Sequence, residues 1–385
     1  MKDLSSTYQL ETKAHEAPLD VQRGAARQRF LFALLLSTWI PMLFFISVAH
    51  LATTNSGIYG MKSLFLFLGT AHVPATFFFY TDKNFSHIIR QHKARYIYVP
   101  LALTIGGGLL VAFSNMRTQA YLFLIFWAWQ AFHYGRQNLG IYSFTAIAQG
   151  TGAPNKLEKL AIDLTTACGI LGTFRILGMD VSPEYLRGAI ELLYEVGKFG
   201  YFAVILFSLY IFARNFRRTT WLKAVFFWTL IFFFLPIYLS NDINVTFLSY
   251  AIAHGLQYII FMGVVSLGAE QGAHARAVRY RNALKMMALL ILLGLLFYHA
   301  DPLRQYEFVR NSRLLVMGFD FLFGAVLGAT MAHFVIDAGA WRLSKLPQRE
   351  YMTKSFGFIF GAKSAVQAPD ASTRKLESTV GRLDD

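Results

Sequence analysis

Cysteine is almost missing from this chain: Cys168 is the only one in 385 residues. That excludes an intramolecular disulfide, thiolate metal clusters and CxxC redox chemistry, so any metal must take imidazole, carboxylate or amide ligands. Charge is scarce as well, at 15% of residues, and acidic charge is scarcest, with 22 Asp and Glu against 36 Lys and Arg. What fills the chain is apolar: 55% of residues are hydrophobic and 16% aromatic, with a mean hydropathy of +0.41. This composition belongs to a polytopic membrane protein, so a count of soluble domains based on length does not apply. The formal charge of +14 would suggest nucleic acid in a soluble chain. Here the basic residues sit between apolar runs, where they set orientation against anionic headgroups. No nucleic-acid partner is expected.

Ten apolar stretches come close to the ~20 residues needed to cross the hydrocarbon layer. They lie at roughly 29–51, 61–81, 96–114, 118–137, 158–177, 197–213, 220–240, 244–267, 283–300 and 315–337. The fifth is the weakest, because it carries Asp163 and Arg175. Alternate loops carry the basic charge: Lys83, Arg90, Lys93 and Arg95; then Arg214, Arg217, Arg218 and Lys223; then Arg276, Arg279, Arg281 and Lys285; and finally Arg342, Lys345 and Arg349. The loops between them are neutral, acidic or mixed. Every basic loop falls on one side if there are ten spans with both termini cytoplasmic. The expected fold is therefore all-α and polytopic, with about ten transmembrane helices. A cytoplasmic segment at 1–28 precedes a transmembrane domain at 29–342, and a cytoplasmic tail at 343–385 follows it. The 1–28 lead is too long and too acidic for the start of a cleaved signal peptide and is expected to be retained.

The stretch 182–195 starts well for a helix at Ser182-Pro183-Glu184 and predicts a short interfacial helix on the outer face. Ser114–Thr118 predicts a tight joint between the third and fourth spans. Gly106-Gly107-Gly108 lies inside an apolar span, where close helix contact explains it. It lacks the strand-turn-helix context of a phosphate loop.

Against this background, ionisable residues at membrane depth stand out, because burying them there is expensive. His72, His133, His254 and His333 fall on the second, fourth, eighth and tenth spans, all running in the same direction. His72 and His254 come about 10 residues into their spans, near the midplane at ~1.5 Å rise per residue. His133 and His333 lie nearer the cytoplasmic ends, a mismatch that a tilt or a break would have to close. A ligating imidazole needs its second nitrogen held by a partner. Polar residues one turn away supply candidates: Gln130 and Gln137 flank His133, Gln257 follows His254, and Asp337 follows His333. Asp337 is also placed for proton transfer, whereas Asp82 is too far from His72 and reads as a cap. His50 and His299 fall at outer span ends, His87 and His92 in a basic loop, and His15 and His274 in polar segments, all wet positions.

An all-imidazole set suits iron, copper or zinc and excludes magnesium or calcium. Four neutral ligands leave a ferrous ion (Fe2+) with open positions for dioxygen, whereas four-histidine zinc is closed. Bis-histidine haem competes with non-haem iron, and copper ranks after both. Phe77–Tyr80, Phe126, Trp127, Trp129, Phe132, Tyr134, Tyr258 and Phe334 share these spans and can line a channel for a long apolar substrate, with helix packing as the plain alternative. Arg136 and Asn138 are placed to meet a headgroup or a substrate carboxylate, and Trp341-Arg342 to anchor the tenth span. A carrier using the histidines as a proton relay is the rival from another class, and a haem-bearing electron-transfer subunit is a third reading.

His333-Phe334-Val335-Ile336-Asp337, with His72, His133 and His254, resembles the Brp/Blh family of bacterial membrane β-carotene dioxygenases. The resemblance covers short stretches of four spans. It implies a multi-span bacterial inner-membrane protein in which the four histidines hold a ferrous ion. It further implies a carotenoid-like or lipid-like substrate and dioxygen as co-substrate, that is, an iron-dependent oxidoreductase.

Overall fold

The structure, a computed structural model, describes residues 4–48, 56–178, 182–268, 275–304 and 311–360. The side chain of His15, all of His50 and His274, and the tail after 360 lie outside what is described. Among the described residues there are helices and no strand. The main helices are α1 (Leu4–Val48), α2 (Ser56–Ala75), α3 (Val99–Phe113), α4 (Met116–Ala148), α5 (Lys156–Gly178) and α6 (Glu184–Asn215). They continue with α7 (Trp221–Ile231), α8 (Ser249–Gly268), α9 (Ala275–Ala288), α10 (Gly294–Arg304), α11 (Arg313–Ala340) and α12 (Leu346–Ser355).

Each of the ten apolar stretches is mostly helical over its described residues, and among them seven helical segments are long and apolar enough to cross a membrane. Three stretches fall short, each for a physical reason. The 61–81 stretch breaks at Pro74, which has no N–H to give to the carbonyl four residues back. The chain tightens there through Thr76 N–H to Val73 O at 3.2 Å and Phe77 N–H to Pro74 O at 3.0 Å. The 220–240 stretch leaves its helix after Ile231 and resumes for one turn at Pro236–Leu239. The 118–137 stretch sits in α4, long enough at 33 residues but diluted by the inward polar set of Gln130, His133 and Gln137.

The joint between α3 and α4 is as tight as expected. Asn115 caps α4, its side chain accepting from Thr118 N–H at 2.9 Å. The interfacial helix expected at 182–195 is not separate. Helix α6 starts at Glu184 as its Ser-Pro-Glu signal dictates, then runs unbroken through 32 residues. No breaker follows, and Gly197 lets the helix pass against Leu171 and Tyr238. The opening of the 343–385 segment also belongs to the bundle: Tyr351, Met352, Phe356 and Ile359 are buried in its core. Tyr351 donates to Asp82 Oδ2 at 2.5 Å. Burial first, and then the Asp82 carboxylate, push the Tyr351 phenol well above its ordinary value.

Two aromatic clusters form most of the interior. One gathers Phe30, Phe79, Phe85, Tyr142, Phe144, Phe261 and Phe356, and the other Tyr134, Tyr201, Phe233, Phe234 and Tyr250. The histidine-bearing parts of α2, α4, α8 and α11 lie at their junction. Helices α3 and α11 cross through glycines, where a side chain on Gly107 would come within 2.5 Å of the Gly324 carbonyl oxygen. Helices α2 and α8 likewise meet at Gly69 and Gly255, where an added Cβ would lie 3.0 Å from the Gly69 backbone and 3.1 Å from His72 Nδ1. This second crossing brings His72 against His254.

Candidate metal centre

The four histidines, from four helices, close into a ring. Ring centroids are 4.9 Å apart for His72–His254 and His133–His254, and 5.1 Å for His72–His333 and His133–His333. All four are buried. A metal about 2.1 Å from each nitrogen stands roughly 3.2 Å from each centroid, so angles of about 90–109° place neighbouring centroids about 4.6–5.3 Å apart. The observed spacings fall in that window.

Each imidazole is oriented by a different device. His72 Nδ1–H donates to the Gly69 carbonyl of its own helix, which leaves Nε2 as the lone-pair nitrogen. His333 is held by a chain that sequence reasoning did not find. Tyr258 donates to Asp337 Oδ1 at 2.7 Å, so its oxygen accepts from the Thr76 hydroxyl at 2.7 Å. The Thr76 oxygen is thereby free to accept from His333 Nδ1–H. His333 Nε2 then faces Asp337 Oδ2 at 3.5 Å, a lone pair opposite a carboxylate, which is stable only with a cation or a proton between them. His133 lies flat on Phe334, with centroids 3.9 Å apart and planes at 12°. His254 is packed under Tyr134 at 4.3 Å.

The Nε2 atoms of His72, His133 and His333 and both ring nitrogens of His254 are buried without a hydrogen-bond partner. Such atoms cost about 1–3 kcal/mol each, so several of them on neighbouring buried rings call for a common explanation. The donor atoms form two overlapping triads, His72–His254–His333 and His133–His333–Asp337, each with atoms within 4.8 Å of one another. The second is a two-histidine, one-carboxylate set, the type that suits ferrous iron with open positions.

The glutamines stand one shell further out than expected. Gln137 Nε2 donates to the His254 backbone carbonyl and to Gln257 Oε1, both at 3.1 Å. Gln257 Nε2 donates to Thr38 Oγ1 at 2.6 Å. They hold α4, α8 and α1 together and touch no imidazole nitrogen by a hydrogen bond. Gln130 Oε1 is buried without a partner. Thr38 carried no sequence signal, since no histidine lies within a turn or two of it on α1. Thr76 was visible one turn after His72, but the ring it serves lies on α11.

The aromatic set divides. Tyr134, Tyr258 and Phe334 are buried against the histidines, while Tyr80, Trp129 and Phe132 face outward. Trp129, one turn before His133, helps line an apolar groove of about 500 Å3 with Leu124, Ile125, Phe174, Ile190 and Leu193. Arg136 pairs with Asp163 at 3.0 Å on the surface, and Asn138 is buried.

Removing the Tyr258 hydroxyl should loosen His333, and its hold on Asp337, without deleting a candidate ligand. For Tyr258→Phe we expect metal affinity to fall about 10–100-fold, read as the chelator concentration that strips half the metal, together with a modest fall in melting temperature because Asp337 loses a buried donor. An unchanged chelator midpoint would show that the Thr76–Tyr258–Asp337 chain does not orient the ring.

No family model, curated protein or solved structure matches this chain.

Proposed function

We propose that this protein is a membrane-embedded metalloenzyme, a non-haem iron oxygenase acting on a lipid-soluble substrate of carotenoid or lipid type. In this reading the chain crosses the bacterial inner membrane ten times with both termini in the cytoplasm. His72, His133, His254 and His333 are the metal ligands. Asp337 either completes the set or receives a proton beside it. The observation that carries the reading is the ring of four buried imidazoles, each with a ring nitrogen that lacks a hydrogen-bond partner. Rings this close on all four sides leave no slot for a porphyrin plane, which favours a single ion over haem.

Ferrous iron would supply the binding and activation of dioxygen for attack on a double bond or C–H bond. The chain supplies the rest. Phe334 and Tyr134 exclude water from His133 and His254. Thr76 and Tyr258 fix the His333 tautomer. The groove beside Trp129, apolar and on the lipid-facing side of α4, suits a hydrocarbon chain. Dioxygen itself partitions into hydrocarbon.

The test is to load the purified protein with ferrous iron without oxygen, add β-carotene in detergent, and then admit dioxygen. The polyene absorbance should fall only with both metal and dioxygen present, and not in His254→Ala. Retained metal with no oxygen consumption would remove the oxygenase reading and leave the metal centre standing.

A further inference from the structure

A second site lies on the basic face of the bundle. A cavity of about 410 Å3 opens between the end of α11 and the turn leading into α3. Lys93 and Arg95 line one side, Arg342 and Lys345 the other, with His92 and Gln348 between them. No carboxylate lines it, and among the described residues none of the four cations forms an ion pair. Four like charges around one cavity repel one another until an anion sits among them. Gln348 differs from its neighbours: it is 3% exposed, its side chain lies beside the Tyr96 hydroxyl, and its Oε1 and that hydroxyl are both buried without a hydrogen-bond partner. A buried amide with an idle acceptor beside a cationic cavity points to a ligand with both an anionic group and a donor.

The depth of the cavity narrows the choice. It lies where one membrane-crossing segment begins at Ala94 and another ends at Ala340. Basic pockets between span ends at that level are suited to phosphate headgroups. Arginine forks can take phosphate oxygens in pairs, and the lysines add point charge.

We infer that this cavity binds a phosphate-bearing anion, supplied by the headgroup of an anionic phospholipid. The phosphate lies among Arg95, Arg342, Lys93 and Lys345, and a headgroup hydroxyl, as in phosphatidylglycerol, donates to Gln348 Oε1. The lipid so bound ties the approach to α3 to the end of α11, the helix that carries His333 and Asp337. The site is independent of the metal reading and stands or falls on its own test.

The full-length protein in detergent is melted with added phosphatidylglycerol, phosphatidylcholine or inorganic phosphate. The same is done for R95Q/R342Q and for R217Q/R218Q, a control at exposed arginines of another basic loop. Phosphatidylglycerol should raise the melting temperature of the wild type and the control by a few degrees, as a ligand that binds only the folded state does. The R95Q/R342Q protein should lose most of that rise, and phosphatidylcholine should produce none. Inorganic phosphate matching phosphatidylglycerol at equal concentration would overturn the lipid as the source and keep the anion site. An equal rise in R95Q/R342Q and wild type, or no rise in any protein, would overturn the site itself.

Discussion

His254→Ala is expected to leave the protein folded and its centre empty. His254 contacts two ring neighbours, His72 and His133, at 4.9 Å, and both of its nitrogens lack other partners. Losing a residue that only orients a ligand costs about 10–100-fold in metal affinity. Loss of a ligand should cost more than that, enough for metal to be lost during gel filtration. The leucine variant adds a test of sign. A buried ring with two idle nitrogens is a burden to the metal-free protein, so His254→Leu should raise the melting temperature of the metal-free form and lower that of the loaded form. If the histidines were ordinary polar packing, the replacement would destabilise both forms alike.

Gly328→Val is expected to unseat α11 and disturb the centre from a distance. A Cβ at Gly328 falls onto the Leu103 carbonyl oxygen, and one at Gly324 onto that of Gly107. These are backbone contacts, so no side chain can swing away, and the helices themselves must separate. Overpacking costs about 1–3 kcal/mol where neighbours can adjust; here we expect about 3 kcal/mol. The helix that moves carries His333 and Asp337, so metal content should fall with stability. Gly318 on the same helix has nothing within 4 Å of an added Cβ. Gly318→Ala should therefore leave both stability and metal unchanged, and a Gly328→Val protein as stable and as metal-rich as wild type would contradict the crossing.

The histidines were legible because the bilayer makes them costly. Four imidazoles in apolar segments needed an explanation, and a shared direction of crossing was enough to suggest that they meet. Asp337 was legible as the residue one turn from His333. The glycine run at 106–108 announced close helix contact, and Gly107 makes it with α11. Less could be seen where one helix serves another. Thr76 holds a ring on α11 and Thr38 braces Gln257 from α1, and spacing within a single helix reports neither. Gln137 and Gln257 were one turn from histidines, as read, yet satisfy each other instead.

Helix boundaries depended on the same local chemistry. Pro74 ends the regular part of α2 as an internal proline should. The run from Glu184 to Asn215 contains no such signal at its middle, and so a segment expected to be separate is continuous with α6. Residues 346–360 pack because Tyr351 and Met352 of the otherwise polar α12, and Phe356 and Ile359 just after it, all enter the core. Polar side chains such as Gln130, His133 and Gln137 also lower the apparent hydropathy of α4, so this long helix is not among the seven apolar enough to cross a membrane.

The central claim is that the four imidazoles hold one ion, and the direct measurement is the metal content and absorption spectrum of the detergent-purified, unmutated protein. We expect about one iron per chain, the stoichiometry of one shared site, and no Soret band. A folded protein that takes up no transition metal at any occupancy, or one that carries haem, would contradict it.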